Sequence, residues 1–191
     1  MKQRPLAMVL VALSYAMAAC TPTLDWRELR PEGAGLLALF PCKPAGHARQ
    51  LNLVVVAVEM TLYACSAGGT TYAIGFADVG QPQLVESALA ELSAAAARNI
   101  DSKGVHAAAP LRVEGMTPNL QAGRRAFAGR LRDGRRVEEQ VAVFARGTKV
   151  FQATMVGAKL DVDAMETFFG ALRLPERARD SVMLQSEAKP G

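Results

Sequence analysis

Two histidines and three cysteines are all that 191 residues contain, and aromatic side chains make up only 6% of the chain. Each shortage excludes a class of chemistry. A metal site needs several ligands at local spacing. His47 and His106 stand far apart, with no acidic cluster beside either, and both read as solvated side chains. The same separation gives no basis for a shared catalytic dyad or triad. No Cys-x-x-Cys pair is present, so the low-pKa thiol of a redox motif is missing. A Gly-x-Ser-x-Gly nucleophile turn is also missing. The segment Cys65-Ser66-Ala67-Gly68-Gly69 is flanked by strand-like sequence on both sides, and its glycines suit the positive φ of a hairpin. There is no Gly-rich phosphate loop. No catalytic residue, metal or cofactor is therefore expected.

Charge is nearly balanced. Lys and Arg number 22 against 18 Asp and Glu, a formal +4, and two of the basic residues, Lys2 and Arg4, fall in a leader segment. Without them the domain approaches neutrality, and aromatics do not interleave with its basic residues as they do where bases are stacked. Nucleic acid is not an expected partner.

The leader is the most specific signal present. Met1-Lys2-Gln3-Arg4 is basic and residues 6–19 are almost uninterruptedly apolar. That run is shorter than the roughly 20 residues a spanning helix needs and matches a secretory signal. Met17-Ala18-Ala19-Cys20 resembles the lipobox of bacterial prolipoproteins, with Met17 where Leu is usual. The resemblance implies removal of residues 1–19 and acylation of Cys20, with each buried methylene contributing about 0.8 kcal/mol to membrane attachment. Thr21, rather than Asp, after the cysteine implies the outer membrane of the cell envelope, facing the periplasm. An ordinary signal peptide with Cys20 as a leftover thiol is the alternative.

The expected organisation is a signal peptide at 1–19, a lipidated tether at 20–25, one domain at 26–175, and a polar, disordered tail at 176–191. With Cys20 acylated, Cys42 and Cys65 form an even pair in an oxidising compartment. A disulfide between them is expected, two buried free thiols being the alternative.

Residues 36–41 read as a short strand stopped by Pro41, 42–46 as a turn, and 51–58 and 61–65 as strands. Ala67-Gly68-Gly69 marks a hairpin into a strand at 70–78. Leu84, Val85, Ala88, Leu89, Leu92, Ala95, Ala96 and Ile100 recur at helical spacing behind Pro82. The chain is strand-like again from Leu111, with strands at 124–132, 137–145 and 148–156. At the Asp133-Gly134 reversal, the register expected pairs Leu131 with Val137, Phe127 with Val141 and Arg130 with Glu138. Asp161 is placed to cap a helix carrying Met165, Phe168, Phe169 and Leu172, with Pro175 as its stop.

This order predicts an α+β fold: an antiparallel sheet of about six to seven strands with two main helices packed on it. Leu39-Phe40-Pro41, the strand at 148–156 and Phe168-Phe169 follow an order of elements that resembles the PsbP-like sandwich, also found in DcrB-type bacterial lipoproteins. The resemblance implies an accessory or binding role and carries no catalytic residues.

The densest charge cluster is Arg124, Arg125, Arg130, Arg132, Arg135 and Arg136, partly neutralised by Glu138 and Glu139. It reads either as a patch for an anionic partner or as a solvated hairpin whose edge is guarded by charge. A domain tethered in this way is expected to be a non-enzymatic module that binds or scaffolds an envelope protein, the alternative being one that holds a small apolar molecule or lipid between helix and sheet. An enzyme ranks behind both, and oligomeric state has no sequence signature.

Overall fold

The computed structural model describes residues 24–175. Residues 1–23 and 176–191, and with them the expected signal peptide, the expected lipidation at Cys20 and the expected tail, lie outside the described residues. Leu24 rests against the core, and the Asp25 N–H donates to the Pro41 carbonyl at 2.9 Å.

A short ribbon of β1 (Arg27–Leu29) and β2 (Ala38–Phe40) precedes a seven-stranded antiparallel sheet. The sheet contains β3 (Ala45–Leu53), β4 (Val56–Ala67), β5 (Thr70–Asp78), β6 (Ala107–Ala109), β7 (Gly123–Arg130), β8 (Arg136–Arg146) and β9 (Lys149–Gly157). Its spatial order is β3-β4-β5-β9-β8-β7-β6. Helix α1 (Val85–Asn99) lies on one face, and α2 (Val162–Gly170) with the β1–β2 ribbon lies on the other. The α+β class and the antiparallel sheet with two helices are as expected.

Burial follows from this layering. Residues 141–145 of β8 are all buried, because both faces of the central strands are covered and alternation gives way to a continuous apolar run. On the α2 face, Phe168 meets Phe40 and Tyr72 edge-on, with centroids 5.6 and 5.4 Å apart, while Phe144 and Phe151 stack at 5.0 Å. Asp161 caps α2 as its position predicts, accepting from the Ala164 N–H at 2.8 Å. The helix ends at Gly170, before Pro175. Beyond it Leu37 and Arg173 exchange backbone hydrogen bonds, and the Leu174 N–H donates to the Glu114 carbonyl. Cys42 and Cys65 form a disulfide with sulfurs 2.03 Å apart, tying the end of the ribbon to β4.

Four expectations about elements and register differ from the structure. The run 51–58 is not one strand: it folds back at Val54 and Val55, with Leu53 paired to Val56. β-propensity does not distinguish a strand from a two-residue turn built of valines. The turn expected at 42–46 is shorter, because β3 already begins at Ala45. Residues 110–122 form no strand. The buried Val113 and the bridge from Glu114 to Arg173 hold that segment against the sheet end. In the β7–β8 hairpin the register is two residues away from the one expected, with Phe127 opposite Glu139, Gly129 opposite Val137 and Arg130 opposite Arg136. The Leu131 N–H donates to the Arg135 carbonyl, closing a three-residue loop through Asp133 and Gly134. A shift of two preserves parity, so inward positions stay inward while every partner changes.

Candidate binding cavity

Helix α1 packs chiefly on β8 and β9 and less on β7, and Leu53, Val58, Met60 and Ala77 of β3–β5 join the same buried layer. Beside the helix lies a cavity of about 460 Å³, lined by residues from α1 and from β3, β4, β5, β8 and β9. Its walls are apolar, from Leu51, Met60, Leu62, Leu92, Ile100 and Val156. Ala73 and Gly75 on β5 form the floor, so the space exists because two consecutive inward positions carry almost no side chain. A Cβ at Gly75 would come within 3.3 Å of the Met60 sulfur. At one end Gly129 lets the C-terminal turn of α1 rest on β7, where the Arg130 N–H donates to the Ile100 carbonyl and a Cβ on Gly129 would collide with that oxygen.

Polar groups enter this lining sparsely, as they do in small-molecule sites. Gln152 and Thr154 are successive inward residues of β9, and the Gln152 amide donates to the Thr154 hydroxyl at 3.4 Å. Arg49, Asn99 and Glu91 belong to the rim, and Glu91 is held by Arg98 at 2.6 Å.

Glu139 is the exception to a sparse and ordinary polar set. It is only 4% exposed, it lines the cavity from β8, and its Oε2 is buried without a hydrogen-bond partner among the described residues. No Lys or Arg forms an ion pair with it there. Burial alone pushes the carboxyl up from the ordinary 4.5 to about 7. The expectation that Glu139 helps to neutralise a surface Arg patch is therefore corrected: inward parity places it in the core layer, between Phe127 and Val156. Its signal was available in the alternation Val137, Glu139, Val141, which puts the carboxylate on the same face as two core valines.

The six arginines do not form one surface. Arg124 points to the α2 side, where it pairs with Glu166 at 3.0 Å and lies 5.6 Å from the centre of the Phe169 ring. Arg125 faces the α1 side, donating to the Gln121 carbonyl at 3.1 Å, with its Nη1 buried and unpartnered among the described residues. Arg130, Arg132, Arg135 and Arg136 gather at the far end of the hairpin, and Arg135 is tied to Asp133 at 2.7 Å. His47 sits exposed on β3 and His106 beside β6. Two larger recesses, of about 630 Å³ at Asp101, His106 and Arg136 and of about 840 Å³ at Val113, Met116 and Arg173, are more open to solvent.

No protein-family model matches this chain, and no curated protein matches it.

Proposed function

We propose that this chain is a non-enzymatic binding module that holds a small, mostly apolar molecule in the cavity beside α1, while an acylated Cys20 keeps it at the periplasmic face of a bacterial outer membrane. The observation that carries the reading is the cavity itself: about 460 Å³, walled by aliphatic side chains and floored by Ala73 and Gly75. Pockets of several hundred Å³ with apolar walls and few polar groups are the usual form of small-molecule sites. The lipobox-like Met17-Ala18-Ala19-Cys20 supports the anchor. Phe40-Pro41, the β7–β9 meander and Phe168-Phe169 support reading the sandwich as PsbP-like.

Titration with N-phenyl-1-naphthylamine, whose fluorescence rises in apolar surroundings, tests the cavity. Saturable binding is expected, displaced by decanol and weakened about tenfold or more by Ala73→Leu or Thr154→Leu, which refill the space. Equal binding by wild type and both folded variants would overturn the reading. For the anchor, Cys20→Ala should lower the mature mass and release the protein from the membrane fraction, and no change in either would refute lipidation.

One observation favours protein binding as a second reading. β3 is a nine-residue edge strand, exposed from Ala45 to Gln50, and among the described residues no strand pairs with its outer edge, which suits strand addition. An envelope protein captured through this edge should cross-link to residues of β3. Cross-links confined to other surfaces would discard it.

A further inference from the structure

We propose that the cavity selects molecules whose apolar body carries a protonated amine, with the Glu139 carboxylate as the counter-ion. This rests on the binding reading above and names its ligand class. Buried polar atoms in native proteins almost always have partners, and a carboxyl buried without one carries a desolvation cost that nothing in the fold offsets. Glu139 is such a group: Oε2 is unpartnered, and the neighbours across the sheet, Phe127 and Val156, offer it nothing. A ligand ammonium supplies both the missing donor and the missing charge. A hydroxyl would supply only the donor, and a ligand carboxylate would be repelled.

The surroundings agree with a cation entering from solvent. Arg49 at the rim is the one basic residue among the described lining, and Glu91 from α1, already paired with Arg98, is the other titratable group there. β5 and β9 face the cavity with Ala73, Gly75, Gln152, Thr154 and Val156, none of which titrates. Arg125, on the same sheet face, is one inward position further along β7, opposite Val141, and makes no ion pair with Glu139. Thr154 and Gln152 add oxygen acceptors on the adjacent strand for the remaining ammonium hydrogens. At about 30 Å³ per water-sized volume, the cavity admits a ligand on the order of 15 non-hydrogen atoms. A ten-carbon amine fits within that.

Isothermal titration of the full chain with decylamine, decanol and decanoate separates the possibilities. At pH 8 decylamine should bind most tightly. Glu139→Gln should weaken decylamine about ten- to hundredfold, as loss of a charge-assisted hydrogen bond does, and leave decanol unchanged. The wild type supplies a control that needs no variant. With a carboxyl that titrates near 7, decylamine affinity should rise about tenfold from pH 6 to pH 8, following the ionised fraction, and decanol affinity should stay flat. If decanol binds as tightly as decylamine, or decanoate binds best, the amine proposal falls and the cavity reading stands. If none of the three binds, the cavity reading fails and the proposal fails with it.

Discussion

Replacing Glu139 with Gln keeps the shape of the side chain and removes its titration, so the variant should gain stability relative to wild type as pH rises. In the folded protein the carboxyl titrates at about 7, against 4.5 ordinarily. Between those values the native state keeps a proton that the unfolded chain has released. The native state then binds more protons than the unfolded one, and stability falls with rising pH. Each pH unit in the window costs about 1.4 kcal/mol, so crossing it costs about 3 kcal/mol. Below 4.5 both states are protonated, and Glu139 behaves like the neutral amide that replaces it. Above about pH 8 both are ionised, and the full cost applies. Urea unfolding of both proteins from pH 4.5 to 8.5 reads this directly. Trp26, the only tryptophan, packs edge-on against Tyr72 and reports the transition. Asp78 is held below the usual carboxylate range by the Thr148 side chain and the Gly80 N–H. Its own pH dependence is shared by both proteins and cancels in the difference. The difference should be near zero at pH 4.5 and about 3 kcal/mol in favour of the Glu139→Gln variant at pH 8. A difference that does not vary with pH, or a variant less stable at pH 8, would refute the burial argument.

Reducing the disulfide between Cys42 and Cys65 reopens a loop with a sequence separation of 23 and should cost about 3 kcal/mol. Urea midpoints with and without reductant check this. Asp161→Ala leaves the Ala164 N–H without its cap and should lower stability by about 1 kcal/mol, read as a fall in Tm with the sheet intact by circular dichroism. Val54 holds φ at +59° in a two-residue turn whose neighbour Val55 is 80% exposed. Val54→Gly removes the strain of a β-branched residue there and should raise stability by about 1 kcal/mol, visible as a higher Tm. An unchanged or lower Tm would show that the turn is not strained.

Long periodic elements were legible in the sequence. The Leu89, Leu92 and Ala96 spacing placed α1, and Asp161 placed the start of α2, because helical periodicity and capping are local properties. What failed was less local. The apolar run Leu53–Val56 contains a reversal that propensity cannot register, since the turn is made by residues that elsewhere prefer strands. Residues 110–122 are held by Val113 and by the backbone of Arg173 and Leu174, which come from the far end of the domain. The β7–β8 register depended on counting a loop, and matching Arg130 with Glu138 gave a chemically attractive answer two residues away from the real one. The arginine cluster was legible as a density of charge, but strand parity sends Arg124 and Arg125 to opposite faces.

The cavity has a cause that lies in the ratio of helices to strands. Seven strands at about 4.8 Å spacing make a sheet about 29 Å wide, whereas one helix with its side chains covers about 10–12 Å. On the α2 face the β1–β2 ribbon makes up part of the deficit, and Phe40 and Leu36 are buried there. Among the described residues the α1 face has no second helix or ribbon, so the inward side of β3–β5 is covered only in part. Leu53, Val58 and Met60 fill some of that side, while Ala73 and Gly75 leave the floor low beside them. At the boundary between the covered and open halves it places Glu139, where burial is deep enough to hold the carboxyl near 7 and the cavity is close enough to reach it. A fold that needed only a solid core would carry an aliphatic residue at that position, as at Val137 and Val141 on either side. An aliphatic side chain there would remove a cost of about 3 kcal/mol above pH 8, and the chain places a carboxyl instead where the cavity reaches it.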